Sequence, residues 1–305
     1  MRDGYDIVVA GGGVAGVTAG LTAARLGRST LVLAGGIPGW LLLSIERIDG
    51  YPGFPEGVAG YELCPSLQEQ ANAAGAEVAA LELEGLAQAN GGWRITTSEG
   101  EVEARAVILA TGARFRRLGV PGEDRLQGRG ISTCASCDGP LLGGATAAVV
   151  GGGDSALQEA LTLAETAEQV LVFHRGDELD GQASYRRHVE ERPTIEVRYR
   201  TTVEEILGSE RVEGVRVGAV AGDAVDELEV AAVFPFVGLD PNTEPFAGHV
   251  TLDDRGALRT DDCLATSADG VFAAGVVRGG AAGRAAAASG EGASAAIAAD
   301  EYLAS

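Results

Sequence analysis

The sequence predicts an α/β protein with two Rossmann-like nucleotide-binding folds, each a doubly wound, three-layer arrangement of a parallel sheet and helices. Three observations support this fold class. The chain has 305 residues, and at roughly 150 residues per domain this length suits two domains. A short apolar run leads into a glycine-rich turn and a helical pattern twice, at residues 11–16 and 151–156. The composition is 46% hydrophobic and 22% charged, which supplies a packed core and excludes a disordered chain.

The first repeat of this pattern begins at the N-terminus. Residues 5–10 form an apolar run of the length of a buried parallel strand, and the turn that follows has the spacing G-x-G-x-x-G. Residues 17–26 predict a helix that Gly27 closes as its C-cap, and residues 30–33 predict the next strand. Together these segments make a complete βαβ unit.

The second repeat begins about 140 residues later. Residues 147–150 predict a strand, residues 151–156 the turn, residues 157–167 a helix and residues 169–173 the second strand. Two such strand–turn–helix–strand segments indicate two Rossmann-type domains, either in succession or with one inserted in the other.

Further strands and one helix complete the prediction. Residues 101–110, 230–237 and 270–275 each predict a strand that ends at a turn, and residues 284–303 predict an alanine-rich C-terminal helix. Chain crossings between the domains are expected in the loops at residues 114–121 and 238–245.

Charge excludes several classes of function. The formal net charge is −21, and so acidic a surface repels nucleic acid and anionic membranes. All 23 basic residues are arginine, which excludes Schiff-base lysines, Walker-A lysines and kinase lysines. No apolar run approaches 18 residues, and the N-terminus lacks the layout of a signal peptide. We therefore expect a cytoplasmic protein.

The first glycine-rich turn predicts a site for a pyrophosphate. Its glycines permit a tight turn and let backbone N–H groups meet an anion at the helix N-terminus. The second strand ends Leu33-Ala34-Gly35, without the acidic residue that usually binds a ribose hydroxyl at this place. That hydroxyl therefore needs another partner.

The most specific signal is the C-x-x-C pair Cys134 and Cys137, followed by Asp138. Such a pair can cycle between dithiol and disulfide, and an adjacent carboxyl group can supply or accept the proton of thiol exchange. A zinc site is disfavoured because no second C-x-x-C or H-x₃₋₅-H segment completes four ligands. Cys64 and Cys263 stand alone, and we interpret both as core cysteines.

Seven segments of the chain stand in a characteristic order and spacing: residues 11–16, 51–55 (YPGFP), 110–112 (ATG), 134–139 (CASCDG), 151–156, 238–243 (GLDPNT) and 266–275. Together they resemble the motifs of the low-molecular-weight thioredoxin reductases, and the resemblance covers essentially the whole chain.

The resemblance implies an FAD-binding domain made from residues 1–113 and 241–305. A nicotinamide-nucleotide domain of residues 114–240, carrying the C-x-x-C pair, would be inserted between them. It also implies a homodimeric flavoprotein oxidoreductase. In this family electrons pass from reduced nicotinamide to FAD, then to the disulfide, then to a thioredoxin-like protein, and the inserted domain rotates to alternate nucleotide and dithiol at the flavin.

Carried over by position, Cys137 faces the flavin, Cys134 attacks the substrate disulfide and Asp138 is the acid–base group. The residues implied to bind FAD are Gly11, Gly13, Val14, Ala15, Gly16, Gly35, Gly36, Asp49, Ala110, Thr111, Gly112, Gly275, Val276, Arg284, Ala285 and Ala286. Those implied to bind the nicotinamide nucleotide are Gly151, Gly153, Asp154, Ser155, His174 and Arg175. No metal ligands are predicted.

The segment that reads the NADPH 2′-phosphate departs from the family. The family pattern H-R-R-x-x-x-R is replaced by HRGDELD at residues 174–180, so that Asp180 stands where an arginine is expected. Each lost charge-assisted hydrogen bond removes roughly 1.5–3 kcal/mol. We therefore do not expect NADPH to be used in the usual way, and the choice between NADH and NADPH stays open. Arg186 and Arg187 could replace part of the site.

Two further departures affect the FAD site. The family segment G-G-Q-L is replaced at residues 35–41, where Trp40 could stack on a ring or cover the core. The aspartate of the family segment A-A-G-D is replaced by Val276, which cannot bind the ribityl chain.

These departures leave alternatives open. The protein could be a ferredoxin-driven reductase, a small-molecule dithiol oxidase, or a non-catalytic flavin-binding redox sensor. Asp138 keeps the reductase form of the motif, which favours a reductase. The expected partner is a thioredoxin-like protein or a small disulfide or dithiol, and neither nucleic acid nor a membrane is expected.

Overall fold

The computed structural model describes residues 2, 4–36, 40–89, 91–220 and 225–305, with only the backbone of Trp40. The chain divides into two compact units, one of Met1–Arg114 with Asp240–Ser305 and one of Phe115–Leu239. We describe each unit by itself.

In chain order, the strands within the described residues are β1 (Gly4–Ala10), β2 (Thr30–Leu33), β3 (Glu77–Ala79), β4 (Leu83–Ala89), β5 (Gly92–Thr97), β6 (Gly100–Leu109), β7 (Ala113–Phe115), β8 (Ala147–Val150), β9 (Val170–Phe173), β10 (Ile195–Arg198), β11 (Thr201–Leu207), β12 (Gly214–Ala219), β13 (Val225–Glu229), β14 (Ala232–Pro235), β15 (Leu239–Pro241) and β16 (Val271–Ala273). The α-helices there are α1 (Val14–Arg25), α2 (Trp40–Leu43), α3 (Gly60–Ala73), α4 (Glu123–Leu126), α5 (Ala135–Asp138), α6 (Asp154–Leu163), α7 (Ala183–Glu191) and α8 (Ala285–Ala304). Short 3₁₀ helices span Gly139–Leu142 and Glu244–Phe246.

The first unit is built on a mixed sheet with the order β3-β2-β1-β6-β5-β4. The pairs β3/β2, β2/β1 and β1/β6 are parallel, whereas β6/β5 and β5/β4 are antiparallel. The first half of β6 pairs with β5, and its second half pairs in parallel with β16. The carboxyl ends of the parallel strands therefore meet at one edge of the sheet, where a doubly wound fold binds its ligand.

Alternate residues of the central strands pack into two different hydrophobic cores, one on each face of the sheet. Ile7 and Val9 of β1 pack with residues of α1 and α8 on one face of the sheet. Val8 and Ala10 pack on the other face with β4, β5 and residues of the segment after β15. The runs are apolar throughout because both faces of these strands are buried.

Glycines allow α1 and α8 to pack closely against neighbouring segments of this unit. A Cβ at Gly20 of α1 would overlap the side chain of Val32 in β2. A Cβ at Gly292 of α8 would overlap the carbonyl oxygen of Ala15 in α1. The first half of α8 is therefore packed directly against the start of α1.

The second unit contains a parallel sheet with the order β10-β9-β8-β14 and an antiparallel sheet with the order β11-β12-β13. Residues of α5, α6 and α7 cover one face of the parallel sheet. Residues of β11 and β12 cover the other face. A separate two-stranded sheet of β7 and β15 lies where the chain crosses between the units.

The predicted fold class is confirmed, with two corrections to helix starts. We expected helices from residues 17 and 157, but α1 begins at Val14 and α6 at Asp154. The chain turns within the first three glycines of each motif, and the residues after Gly13 and Gly153 already form the first helical turn. The antiparallel strands that flank or cover the parallel sheets have no counterpart in the sequence prediction.

Candidate active site

The turn between β1 and α1 places a helix N-terminus at the end of a buried strand. Gly11 has a φ of 128°, and a Cβ there would overlap the carbonyl oxygen of Ala110. Gly13 is the N-cap of α1 and provides no side-chain cap, while nothing lies within 4 Å of the position of its missing Cβ. The first turn of α1 contains no acidic residue. Because helix N-termini attract anions, this open end fits a pyrophosphate.

Residues at the ends of β6 and β16 lie beside this turn. Gly275 has a φ of 80°, and a Cβ there would lie 2.9 Å from the Cβ of Ala15. Beyond β6, the hydroxyl of Thr111 donates to the carbonyl oxygen of Asn242 over 2.7 Å, and the N–H of Asn242 donates to the carbonyl oxygen of Gly112 over 3.0 Å. Asn242, which belongs to the GLDPNT segment but was not among the predicted site residues, thus bonds to two predicted FAD residues.

A largely buried ion pair supports the turn after β16. The Oε2 atom of Glu291 accepts the N–H of Gly275 over 2.7 Å, and its Oε1 atom lies 3.1 Å from Nη1 of Arg278. The two charged side chains are 20% and 13% exposed. Val276 lies half-buried beside Gly275. Neither residue of this pair was predicted from the sequence, where the available signal was a single glutamate early in an alanine- and glycine-rich helix.

The loop after β2 contains the predicted residues Gly35 and Gly36. A Cβ at Gly36 would lie 3.5 Å from Oε1 of Glu82. Glu82 therefore supplies, from another segment, a carboxylate near the strand end where the sequence lacks one. Residues 37–39 and the side chain of Trp40 lie outside the described residues, so the role of Trp40 stays a prediction.

The segment around Asp49 approaches the same helix N-terminus. Asp49 itself accepts a hydrogen bond of 2.8 Å from Nε of Arg47. Its neighbour Ile48 packs in one apolar cluster with Val14 of α1 and Ala285 of α8. Arg284 is the N-cap residue of α8, directly before Ala285 and Ala286.

Ten of the sixteen residues predicted to bind FAD lie around the start of α1, and this open helix end fits the pyrophosphate of the cofactor. Those that border this N-terminus or its neighbouring segments are Gly11, Gly13, Val14, Ala15, Gly16, Ala110, Thr111, Gly112, Gly275 and Ala285. The one chemical mismatch is Val276, whose side chain offers no hydrogen-bond acceptor.

The turn between β8 and α6 repeats the geometry of the first one. Gly151 has a φ of 139°, and Gly153 is an N-cap with no side-chain cap and open space where its Cβ would be. Asp154 opens the helix, and its carboxylate accepts from the backbone N–H and the side-chain amide of Gln182 over 2.6 and 3.0 Å. Ser155 follows and is exposed. This end also fits a dinucleotide pyrophosphate.

The segment after β9 folds back over this second turn. The N–H groups of Asp180 and Gly181 donate to the carbonyl oxygen of Gly152 over 2.8 and 2.9 Å. The Asp180 carboxylate lies 3.9 Å from Nε2 of His174, which is buried at 5% exposure. Arg175 follows and is exposed. The backbone therefore brings an acidic residue to the predicted nucleotide site.

More carboxylates surround this strand end. Asp177 forms an ion pair with Arg200, so this carboxylate is partly neutralised. Burial and the charges of Glu190 and Glu178 raise the pKa of Tyr199 above its usual value. The surroundings of β9 are thus mixed in charge rather than strongly basic.

The C-x-x-C pair forms a disulfide on a short helix of the second unit. The Cα atoms of Cys134 and Cys137 are 5.3 Å apart. Cys134 is the N-cap residue of α5, and its Sγ accepts the N–H of Cys137 over 3.2 Å and lies 3.5 Å from Oγ of Ser136. A backbone N–H directed at this sulfur stabilises its thiolate form once the disulfide opens. Asp138 closes the helix and is half-buried, within the same turn as both sulfurs.

Two residues that sequence reasoning missed hold this segment. The hydroxyl of Ser132 accepts the N–H of Cys134 over 3.1 Å. Oε2 of Glu159 in α6 accepts the N–H of Ala135 over 2.7 Å, and Glu159 is only 6% exposed. A glutamate on the buried side of a predicted amphipathic helix was the available signal.

One prediction about the remaining cysteines is confirmed and one is wrong. Cys64 is buried in the first unit, and burial raises its pKa to about 11. Cys263 is exposed. It lies in a tight turn whose N–H groups at Cys263 and Ala265 both donate to Oδ1 of Asp261, and this polar turn keeps the cysteine out of the core.

The described residues contain neither a candidate metal site nor a candidate membrane span. No group of three or more His, Cys, Asp or Glu side chains there is arranged to hold a metal ion. No helix in the described part of the chain has both the length and the apolar character to span a membrane.

Comparisons with known proteins extend over both units. A family model described as pyridine nucleotide-disulphide oxidoreductase matches residues 5–292. The thioredoxin reductase of Treponema pallidum (strain Nichols) is 37% identical over 303 residues, covering 99% of this chain and 98% of the relative. The crystal structure of Lactococcus lactis thioredoxin reductase matches with a TM-score of 0.95 at 34% identity, covering 98% of this chain and 99% of that one. That of T. acidophilum thioredoxin reductase matches with a TM-score of 0.95 at 31% identity, covering 100% of both chains.

Proposed function

The chain belongs to the thioredoxin reductases, within the pyridine nucleotide-disulphide oxidoreductases, and we propose that it is an FAD-dependent reductase of a thioredoxin-like protein disulfide. The observation that carries this proposal is the Cys134–Cys137 disulfide, which lies on a half-exposed helix in the unit with the second nucleotide turn. We further infer a homodimer in the cytoplasm, where a reducing environment suits a cycling dithiol.

FAD, when bound, supplies the relay that accepts an electron pair from a reduced nicotinamide and passes it to the protein disulfide. The residues of the first unit bind and orient it. The N-terminus of α1 takes the pyrophosphate, with Gly13 leaving the approach open. Glu82 is a candidate acceptor for a ribose hydroxyl, since its carboxylate lies close to Gly36.

The residues of the second unit perform the thiol exchange. Two electrons and two protons open the Cys134–Cys137 disulfide to a dithiol. The thiolate of Cys134, stabilised by the N–H of Cys137, attacks the partner's disulfide and forms a mixed disulfide. Cys137 then attacks Cys134, which restores the protein disulfide and releases the partner as a dithiol. Asp138 holds or donates the proton that this exchange moves.

We infer that the electron donor is a nicotinamide dinucleotide without a 2′-phosphate. Asp180 lies beside the second turn, where its backbone N–H bonds to Gly152 and its carboxylate lies near His174. A carboxylate after the second strand of a Rossmann unit accepts a hydrogen bond from a ribose 2′-OH, whereas it repels a 2′-phosphate. This supports NADH as the donor over NADPH.

Anaerobic titration of the FAD-loaded protein tests the donor and the reaction together. We expect NADH to bleach the flavin absorbance at concentrations at least tenfold below those of NADPH. Bleaching only by reduced ferredoxin, or only by a dithiol, would instead support the ferredoxin-driven reductase or the dithiol oxidase. Bleaching by none of the four would support a flavin-binding sensor.

Single cysteine variants test the relay. Cys134→Ser and Cys137→Ser should each abolish reduction of a thioredoxin disulfide while FAD stays bound and NADH still bleaches it. Cys263→Ser is the matched control, because Cys263 is an exposed cysteine of the other unit, and it should keep full turnover. Turnover in either C-x-x-C variant would contradict the relay.

A further inference from the structure

A buried carboxylate lies directly beneath the redox-active helix. Glu159, in the middle of α6, is 6% exposed, and its Oε2 accepts the N–H of Ala135 over 2.7 Å. Ala135 is the residue between Cys134 and Ser136 and is 1% exposed. Glutamate is rarely buried to this extent unless its carboxylate has partners that compensate for lost hydration.

The helix that carries the cysteines needs such an anchor. α5 spans only Ala135–Asp138, and the first N–H groups of a helix have no acceptor within it. The N–H of Asp138 bonds to the carbonyl oxygen of Cys134, whereas the N–H of Ala135 finds its acceptor on α6. The position of the Ala135 backbone, directly after Cys134, therefore depends on a side chain 24 residues away in the sequence.

We propose that Glu159 is a positioning residue for the redox pair: by fixing the N–H of Ala135 it holds the sulfur of Cys134 within bonding reach of Cys137. This inference rests on the proposed function, in which the pair cycles between disulfide and dithiol. A fixed backbone keeps the effective concentration of one thiol at the other high, and a high effective concentration favours the disulfide over the dithiol. Loss of the anchor should therefore make the disulfide easier to reduce.

The equilibrium with dithiothreitol measures this effect without coenzyme or partner protein. Reduction breaks the Cys134–Cys137 bond with uptake of two electrons and two protons, while dithiothreitol loses the same and closes to its cyclic disulfide. Trapping with iodoacetamide followed by trypsin gives a direct count, because the peptide of residues 130–175 contains both cysteines of the pair and no other.

For Glu159→Ala we expect the equilibrium constant for reduction to rise at least threefold. Glu159→Gln should stay within twofold of the unchanged protein, because the amide oxygen still accepts the N–H. Glu159→Asp, whose carboxylate is one methylene shorter, should shift in the same direction as the alanine variant. Glu165→Ala is the control, since this exposed carboxylate lies just after the same helix and pairs with Arg192.

The outcome separates this inference from the proposed function. Equal constants in the Ala, Asp and unchanged proteins would overturn the positioning role. If Glu159→Ala does not fold, Glu159→Asp alone decides, and an unshifted constant in a folded Asp variant overturns the role. Failure of NADH or thioredoxin to react would overturn the proposed function but leave the dithiothreitol equilibrium as a valid test.

Discussion

Asp180 shows how one side chain can set the choice of coenzyme. Its backbone is fixed to the glycine-rich turn through Gly152, while its carboxylate is 77% exposed near His174. The exposed carboxylate is therefore accessible to a ribose, while the hydrogen bond of its backbone to Gly152 fixes its position relative to the turn. A substitution at this residue can change the charge offered to the nucleotide without disturbing the turn.

We therefore expect Asp180→Arg to move coenzyme preference towards NADPH. A gained charge-assisted hydrogen bond of roughly 1.5 kcal/mol corresponds to about tenfold in affinity, and the lost repulsion adds to it. The ratio of kcat/KM for NADPH to that for NADH should rise at least tenfold, measured by flavin-linked turnover. Glu168→Arg makes the same charge change at an exposed loop of this unit and should leave the ratio unchanged. An unchanged ratio in Asp180→Arg would place the 2′-phosphate elsewhere.

The two isolated cysteines should differ in reactivity by their surroundings. A pKa of about 11 leaves Cys64 almost wholly protonated at pH 8, with about one thiolate in a thousand, and burial also blocks reagents. In the oxidised native protein, iodoacetamide at pH 8 should modify Cys263 in the tryptic peptide 260–278 and spare Cys64 in peptide 48–94. Urea should make both reactive. Rapid native alkylation of Cys64 at pH 8 would contradict its buried state.

These residues show what sequence reasoning could reach. The C-x-x-C pair and both glycine-rich turns were predictable because their chemistry depends on neighbours in the sequence. The roles of Glu159 and Glu291 were not, because each acts through a bond to the backbone of a distant segment. The prediction that Cys263 lies in the core was wrong. A local turn held by Asp261 keeps this cysteine exposed and outweighs the general preference of cysteine for the core.

At the scale of elements, the Arg278–Glu291 ion pair connects the turn after β16 to α8. The guanidinium also donates from Nε to the hydroxyl of Thr260 over 3.1 Å. Because the pair is mostly buried and Glu291 also accepts the N–H of Gly275, the turn and the first half of α8 are positioned together.

Arg278→Met should therefore cost both stability and cofactor affinity. Removing one partner of a buried pair leaves an uncompensated charge and typically destabilises by about 3 kcal/mol. We expect a loss of that size in urea unfolding of the apoprotein and at least fivefold weaker FAD binding. Arg94→Met is the control, because the Arg94 side chain is 49% exposed beside Glu101 and such pairs contribute only about 0–1 kcal/mol. Equal effects of the two substitutions would show that burial of the Arg278 pair does not matter.

The strands and helices inside each βαβ motif were predictable from the sequence, whereas the antiparallel strands outside these motifs were not. β2 and β8 match their predicted ranges, because fully apolar runs beside glycine turns admit few other structures. The antiparallel strands β11 and β12 mix buried, half-buried and exposed residues without a strict alternation, and such a pattern is hard to separate from a loop. Their place against the parallel sheet follows from long-range burial of Val203 and Val215 rather than from local sequence.

At the scale of the whole molecule, the glycine-rich turn that leads into an open helix N-terminus occurs twice in the chain. The N-cap glycines of α1 and α6 share a ψ of 178°, and the glycines that begin the two turns have φ of 128° and 139°. The two copies differ in what surrounds them. The first is bordered by Gly275 and the segment after β6, whereas the second is covered by the acidic segment that ends at Gly181. We infer that this difference in surroundings, rather than the turns themselves, decides which nucleotide each unit accepts.

Hydrogen exchange of the whole chain tests this assignment. A ligand at 100 times its Kd raises the free energy of opening of the residues that it holds by about 2.7 kcal/mol, which slows their exchange about a hundredfold. Added to the apoprotein, FAD should protect the amides of residues 11–16, 110–112 and 275–278. Added to the oxidised, FAD-loaded protein, NAD⁺ should protect residues 151–156 and 174–182, and NADP⁺ at equal concentration should protect them less. Protection of the second turn by FAD, or equal protection by the two dinucleotides, would mean that the surroundings of the turns do not select the nucleotide.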